Sequence, residues 1–175
     1  GLGDVYKRQC MDNDDMRRGK PSNHKVNGEN MALLAGDALQ ALAFEVMLSE
    51  ESIAKAGAQR AASAAGILVK AIGADGMVGG QVIDLLSEGK QISLETLRKM
   101  DEGKTGALIS ACVQMGCVLG GGSEKELQAA REYADAIGLA FQIVDDILDI
   151  EGDTATLGKQ VGSDVANDKS TYVSI

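Results

Sequence analysis

The chain has 175 residues, 45% of them hydrophobic but only 3% aromatic, and a formal net charge of -9. That length supports one domain with its own core, and the charge argues against nucleic acid or an anionic membrane as a general partner. Three cysteines, Cys10, Cys112 and Cys117, show neither metal-ligand spacing nor a disulfide framework and suit a reducing, cytoplasmic setting; no signal peptide opens the chain.

Residues 1–9, GLGDVYKRQ, carry no periodicity and no cap. They read as a non-native leader, with the domain expected over residues 10–175. Residues 10–30 then bring Asp12, Asp14 and Asp15, followed at once by Arg17, Arg18 and Lys20 and the only proline. Acids abutting bases can form a self-compensating polar loop. They can also form a site for a metal-bound polyanion, with aspartate for the cation and the planar arginine fork for phosphate oxygens. His24, the one histidine, reads as a polar loop residue rather than a catalyst.

Apolar residues at spacings of three and four predict a helix over 30–48, and an alanine-rich one over 53–72. A short, glycine-interrupted helix over 77–86 embeds Gln81 and Asp84. Ser93 is placed to cap a helix through Met100, and Glu102-Gly103 suggests a break or bend. Residues 105–123 carry no charge over 19 positions, close to the length of a membrane span. Five glycines and the polar Ser110 and Gln114 favour a buried central helix instead. Ser123-x-x-Glu126 is a capping box that opens a helix running to Asp149.

Within that helix lies FQIVDDILD, residues 141–149. Apolar residues fall on nearly every side of it, which predicts a buried helix. Asp145 and Asp149 are four apart and share a face with Phe141, while Gln142 and Asp146 flank it. A solvated acidic helix end is the plainer reading, but Ile and Leu alternate too closely with the acids. Carboxylates in an apolar segment are costly unless compensated. A hard cation such as Mg²⁺, shared with substrate phosphates, would compensate them. The remaining stretch to Ile175 is polar and glycine-rich, and Lys159 and Lys169 read there as solvated surface. No strand-period segment, repeat or linker appears. The expectation is an all-α bundle.

Two aspartate-rich segments on such a scaffold resemble the trans-isoprenyl diphosphate synthases, the polyprenyl synthetase family. MDNDDMRRGKP, GDALQALAFE, MVGGQVIDL, KTGALI, FQIVDDILD and TLGKQVGSDVANDKSTY are similar to its blocks, in the family's order. The resemblance implies an isoprenoid synthase-type helical bundle around a central cavity, truncated here. It implies head-to-tail condensation of an allylic diphosphate with isopentenyl diphosphate to farnesyl or geranylgeranyl diphosphate, with Mg²⁺ as cofactor and a homodimer at full length. Asp12, Asp145, Asp146 and Asp149 look like metal ligands. Arg17, Arg18, Lys104, Thr105, Gln142, Lys159 and Lys169 look like substrate contacts, with Lys104, Asp145 and Lys159 acting in catalysis. The aspartate pair that begins the family's first motif is not in this sequence, so the polypeptide by itself is expected to be inactive. A class I terpene cyclase and a non-catalytic subunit of a heteromeric prenyl synthase are the competing readings. The RRG and KTG blocks weigh against the first and the complete DDILD against the second.

Overall fold

The computed structural model describes residues 15–17, 19–152 and 169–174, with Arg17 described in its backbone alone. Asp12, Arg18, Lys159 and residues 1–9 lie outside the described residues. The first element is a strand pair that the sequence pattern does not announce. β1 (Met16–Arg17) pairs antiparallel with β2 (Lys20–Pro21). Two residues are too few to display an alternating period. Gly19, at φ +73°, supplies the turn between them. α1 (Asn23–Asn27) then replaces the expected loop, and His24 within it is only 6% exposed.

Helices make up nearly all the rest. α2 (Glu29–Met47) matches the first predicted helix. The second predicted helix is two, α3 (Glu50–Ala56) and α4 (Ala58–Ile72). Gly57 separates them at φ +85°, which takes the backbone out of the helical region. α5 (Met77–Ser87), α6 (Leu94–Asp101), α7 (Ala107–Leu119) and α8 (Glu124–Glu151) follow. Serine caps set three of the starts. The hydroxyls of Ser49, Ser93 and Ser123 accept from the backbone N–H groups of Ser52, Thr96 and Glu126. At Ser123 the Glu126 carboxylate returns the bond to the serine N–H at 2.7 Å, which holds its pKa below the usual range.

The expected break at Glu102-Gly103 is instead a π-helical turn, Glu102–Gly106, joining α6 to α7. The backbone on both sides stays right-handed helical, so the chain bulges without stopping. α7 packs between α4 and α8. The α4 stripe of Ala61, Ala64, Ala65, Leu68 and Ile72 is buried, as are Ala111 of α7 and Ala134 of α8. These alanines let the helix axes approach closely. By length and composition the span 58–87 is apolar enough to cross a membrane, a different stretch from 105–123. Its α4 half, however, buries its apolar stripe within the bundle.

The expectation for residues 141–149 needs correction. The segment is helical, but its apolar residues are the uncovered ones: Phe141 is 52% exposed and Val144, Ile147, Leu148 and Ile150 are exposed as well. Asp146 and Asp149 are the buried residues, three apart on the inner face. A helix apolar on nearly every side leaves its orientation to the packing of its other turns, and Ala134 and Gly138 set it. Those two small residues face α7 and the π turn, which brings the i+8 and i+11 positions from Gly138, Asp146 and Asp149, to the same inner side.

Candidate active site

The site is built on the π turn. An ideal Cβ placed on Gly80 of α5 would lie 2.1 Å from the Lys104 nitrogen and 2.6 Å from the Gly103 carbonyl carbon. α5 therefore meets the turn backbone to backbone. On the opposite side, a Cβ on Gly138 of α8 would lie 3.2 Å from the Gly106 Cα. Glycines on both flanking helices thus admit the wider π turn between them. That placement carries Lys104 and Thr105 into a small polar crevice of about 110 Å³.

Lys104, Thr105, Gln142, Asp145, Asp146 and Lys169 all line this crevice. Six of the residues singled out by sequence are therefore together, although they are spread over residues 104–169. Asp149 is not among the lining residues and is buried at 2% exposure. Asp12, Arg18, Lys159 and the Arg17 side chain lie outside the described residues. The Lys104 ammonium sits 2.5 Å from Oδ2 of Asp84, and the Lys169 ammonium 3.6 Å from the same oxygen. Segment 169–174 is anchored from two directions. The Tyr172 N–H donates to Asp146 Oδ2 at 2.8 Å, and the Ser170 hydroxyl donates to the Lys90 carbonyl at 3.2 Å.

Two acids that the sequence reading gave no role complete the wall, Asp84 and Asp101. Asp101 accepts a long hydrogen bond, 3.5 Å, from the Gln142 amide. Burial pushes its carboxyl up from 3.8 to about 7; the neighbouring Asp146 charge adds to the rise, and the Tyr172 hydroxyl and Lys104 oppose it. The Tyr172 hydroxyl is buried beside Asp101. Its own pKa rises to about 12, first from burial and then from the Asp101 charge. The signal for both acids was present in the sequence. Leu97, Met100 and Asp101 occupy i, i+3 and i+4, so Asp101 stands on the buried stripe of α6. Asp84 stands one turn after Gly80 on α5, among Val and Leu.

The crevice wall carries five carboxylates (Asp84, Glu88, Asp101, Asp145, Asp146) against two lysines. A bare diphosphate would be repelled by that balance, and a hard divalent cation would offset most of it. The donor chemistry therefore fits Mg²⁺ on the side of Asp145 and Asp146. Among the described residues, no three carboxylate, histidine or cysteine side chains form a complete metal-ligand set. A second cavity of about 600 Å³ lies on the other side of Asp101, lined in part by Ala71, Arg98, Ser110, Gln114, Arg131 and Tyr172. There Arg131 donates to the Gln114 carbonyl at 3.1 Å, and the Gln114 amide donates to Ser110 at 2.9 Å. This accounts for the polar residues inside the uncharged helix.

The model of the polyprenyl synthetase family matches residues 4–175. The chain belongs to the polyprenyl synthetase family. It is 46% identical over 166 residues to a farnesyl diphosphate synthase of Bacillus subtilis, covering 95% of this chain and 56% of that one. It is 49% identical over 169 residues to large subunit 1 of a chloroplastic heterodimeric geranylgeranyl pyrophosphate synthase of Arabidopsis thaliana, covering 95% and 46%. Among solved structures, a Helicobacter pylori geranyltransferase complexed with magnesium and isoprenyl diphosphate superposes at a TM-score of 0.87 with 31% identity. That match covers 99% of this chain and 58% of that one. The chain thus spans about half the length of the curated relatives it matches. The all-α isoprenoid synthase bundle expected from the motifs is the fold observed, and this polyprenyl synthetase chain carries the motifs in the order the resemblance implied.

Proposed function

We propose that the protein of which this chain forms part is a magnesium-dependent prenyltransferase. It condenses an allylic diphosphate with isopentenyl diphosphate to farnesyl or geranylgeranyl diphosphate. The observation that carries the reading is the joining of Lys104, Thr105, Gln142 and Lys169 with Asp145 and Asp146 in one crevice. Four donors to phosphate oxygen and two acids suited to a hard cation are what departure of a diphosphate requires. Bound magnesium would neutralise the leaving group as a Lewis acid, held by Asp145 and Asp146, with Asp12 and Asp149 as further ligands. Lys104, Lys169 and Lys159 would donate to the departing pyrophosphate as the allylic C–O bond breaks and its electron pair leaves with oxygen. Thr105 and Gln142 would fix its orientation, together with Arg17. Arg18 would hold the second diphosphate. The alkene of isopentenyl diphosphate then forms a bond to the allylic carbon and a proton is lost. The cation formed on the way requires shielding from water. A reducing cytoplasm, consistent with the free thiols Cys112 and Cys117, and a homodimer complete the proposal.

The test is an assay of the full-length protein with Mg²⁺, isopentenyl diphosphate and geranyl diphosphate, with products identified by mass. Elongated diphosphates are expected, and Asp145→Ala is expected to lower the rate about a hundredfold or more. A cyclised hydrocarbon without elongation would assign the protein to the terpene cyclases. Metal and diphosphate binding without turnover would assign it to the non-catalytic subunits.

A further inference from the structure

The Asp84 carboxylate pairs with both lysines of the crevice. It is 4% exposed, and its Oδ2 meets Lys104 Nζ at 2.5 Å and Lys169 Nζ at 3.6 Å. Burying an ion trio in place of apolar side chains is a weak source of stability, because desolvation offsets much of the attraction. The position of the trio points to another role. Both ammonium groups stand in the crevice wall, and the three charges sum to one positive, so the trio is the cationic part of an otherwise acidic wall. Lysine brings a compact charge on a flexible four-carbon stem. Two such stems close together would repel and spread without a shared counter-ion. Here the base of the Lys104 stem is fixed by the contact of its backbone with Gly80, and its tip by Asp84 one turn later on the same helix face. α5 therefore holds Lys104 at both ends. Lys169, from the far end of the described chain, is drawn to the same oxygen.

We propose that Asp84 is a positioning residue, holding the ammonium groups of Lys104 and Lys169 as a preset pair for the diphosphate of the substrate. It acts through the lysines and touches no reacting atom. The gain is geometric: donors already in place lose little freedom when the anion arrives. The inference rests on the prenyl-transfer reading for the identity of the substrate, but not for its diphosphate chemistry.

The experiment is a double-mutant cycle on the full-length protein, read by calorimetric binding of magnesium pyrophosphate. Asp84→Asn is expected to weaken binding about tenfold, as loss of a charge-assisted partner does. Asp84→Glu keeps the carboxylate on a longer stem and should lose less. In the Lys104→Gln/Lys169→Gln background the same Asp84 substitutions should change binding less than about twofold, because coupled residues are not additive. An undiminished Asp84 effect in that background would overturn the proposal and make Asp84 a general structural residue. So would unchanged binding in Asp84→Asn, or no binding by the unsubstituted protein. Should Asp84→Asn fail to fold, the cycle runs on Asp84→Glu with the same criterion. Pyrophosphate binding needs no prenyl acceptor. A coupled cycle in a protein that elongates nothing would therefore refute the prenyl-transfer reading while leaving the Asp84 assignment standing.

Discussion

Gly80 and Asp101 show how single positions shape this crevice. At Gly80 a methyl group would enter the Lys104 backbone at 2.1 Å, and backbone cannot yield as a side-chain tip can. Gly80→Ala is therefore expected to cost about 2 kcal/mol, read from the urea midpoint. It should also weaken magnesium pyrophosphate binding, since the π turn must move. Asp101 presents a different cost. Its folded pKa of about 7 lies above the unfolded 3.8, so the folded state holds the proton more tightly. Its contribution to stability is intact below pH 4 and is lost as pH rises toward and through 7. In metal-free protein, Asp101→Asn should abolish this slope and add about 2 kcal/mol at pH 8 relative to pH 4, less than the full shift because the crevice admits water. Urea unfolding of both proteins at the two pH values measures it.

Helix starts were open to sequence reasoning because caps are local. Ser123 and Glu126 meet across three residues, and the box is present as read. Ser123→Ala should lower stability by about 1 kcal/mol, seen as a drop in thermal midpoint. Irregularities inside helices were less legible. Gly57 divides 53–72 because its positive φ cannot continue a helix, and nothing in the alanine-rich composition distinguishes it from the helical Gly66. The π turn is the sharper case. Glu102-Gly103-Lys104 looks like a break when propensity alone is weighed. The turn persists because Gly80 and Gly138, distant in sequence, leave room for a wider backbone.

Over the whole molecule, the described chain exposes large apolar residues on several helices, α2 and α8 among them. Met31, Leu34, Leu42 and Val46 of α2 and Phe141, Val144 and Ile150 of α8 are all exposed. Large apolar side chains left exposed in such number favour association. The 175-residue polypeptide is expected to self-associate with rising concentration despite its net charge of -9, and light scattering over a concentration series measures this.

By itself the sequence determined the helical class and the serine caps, and its motifs, through their resemblance to the family, named six residues that share the crevice. These follow from periods of three and four residues and from motifs a few residues long, which need no knowledge of packing. Tertiary structure decided the rest. The union of Asp84 with Lys104 and Lys169 spans 20 and 85 positions, and no local period sets such a distance. Which side of 141–149 faces inward was also a matter of packing. A helix apolar almost all round has no preferred face until Ala134 and Gly138 dock against the π turn and α7. That docking turned two aspartates inward and left the phenylalanine out.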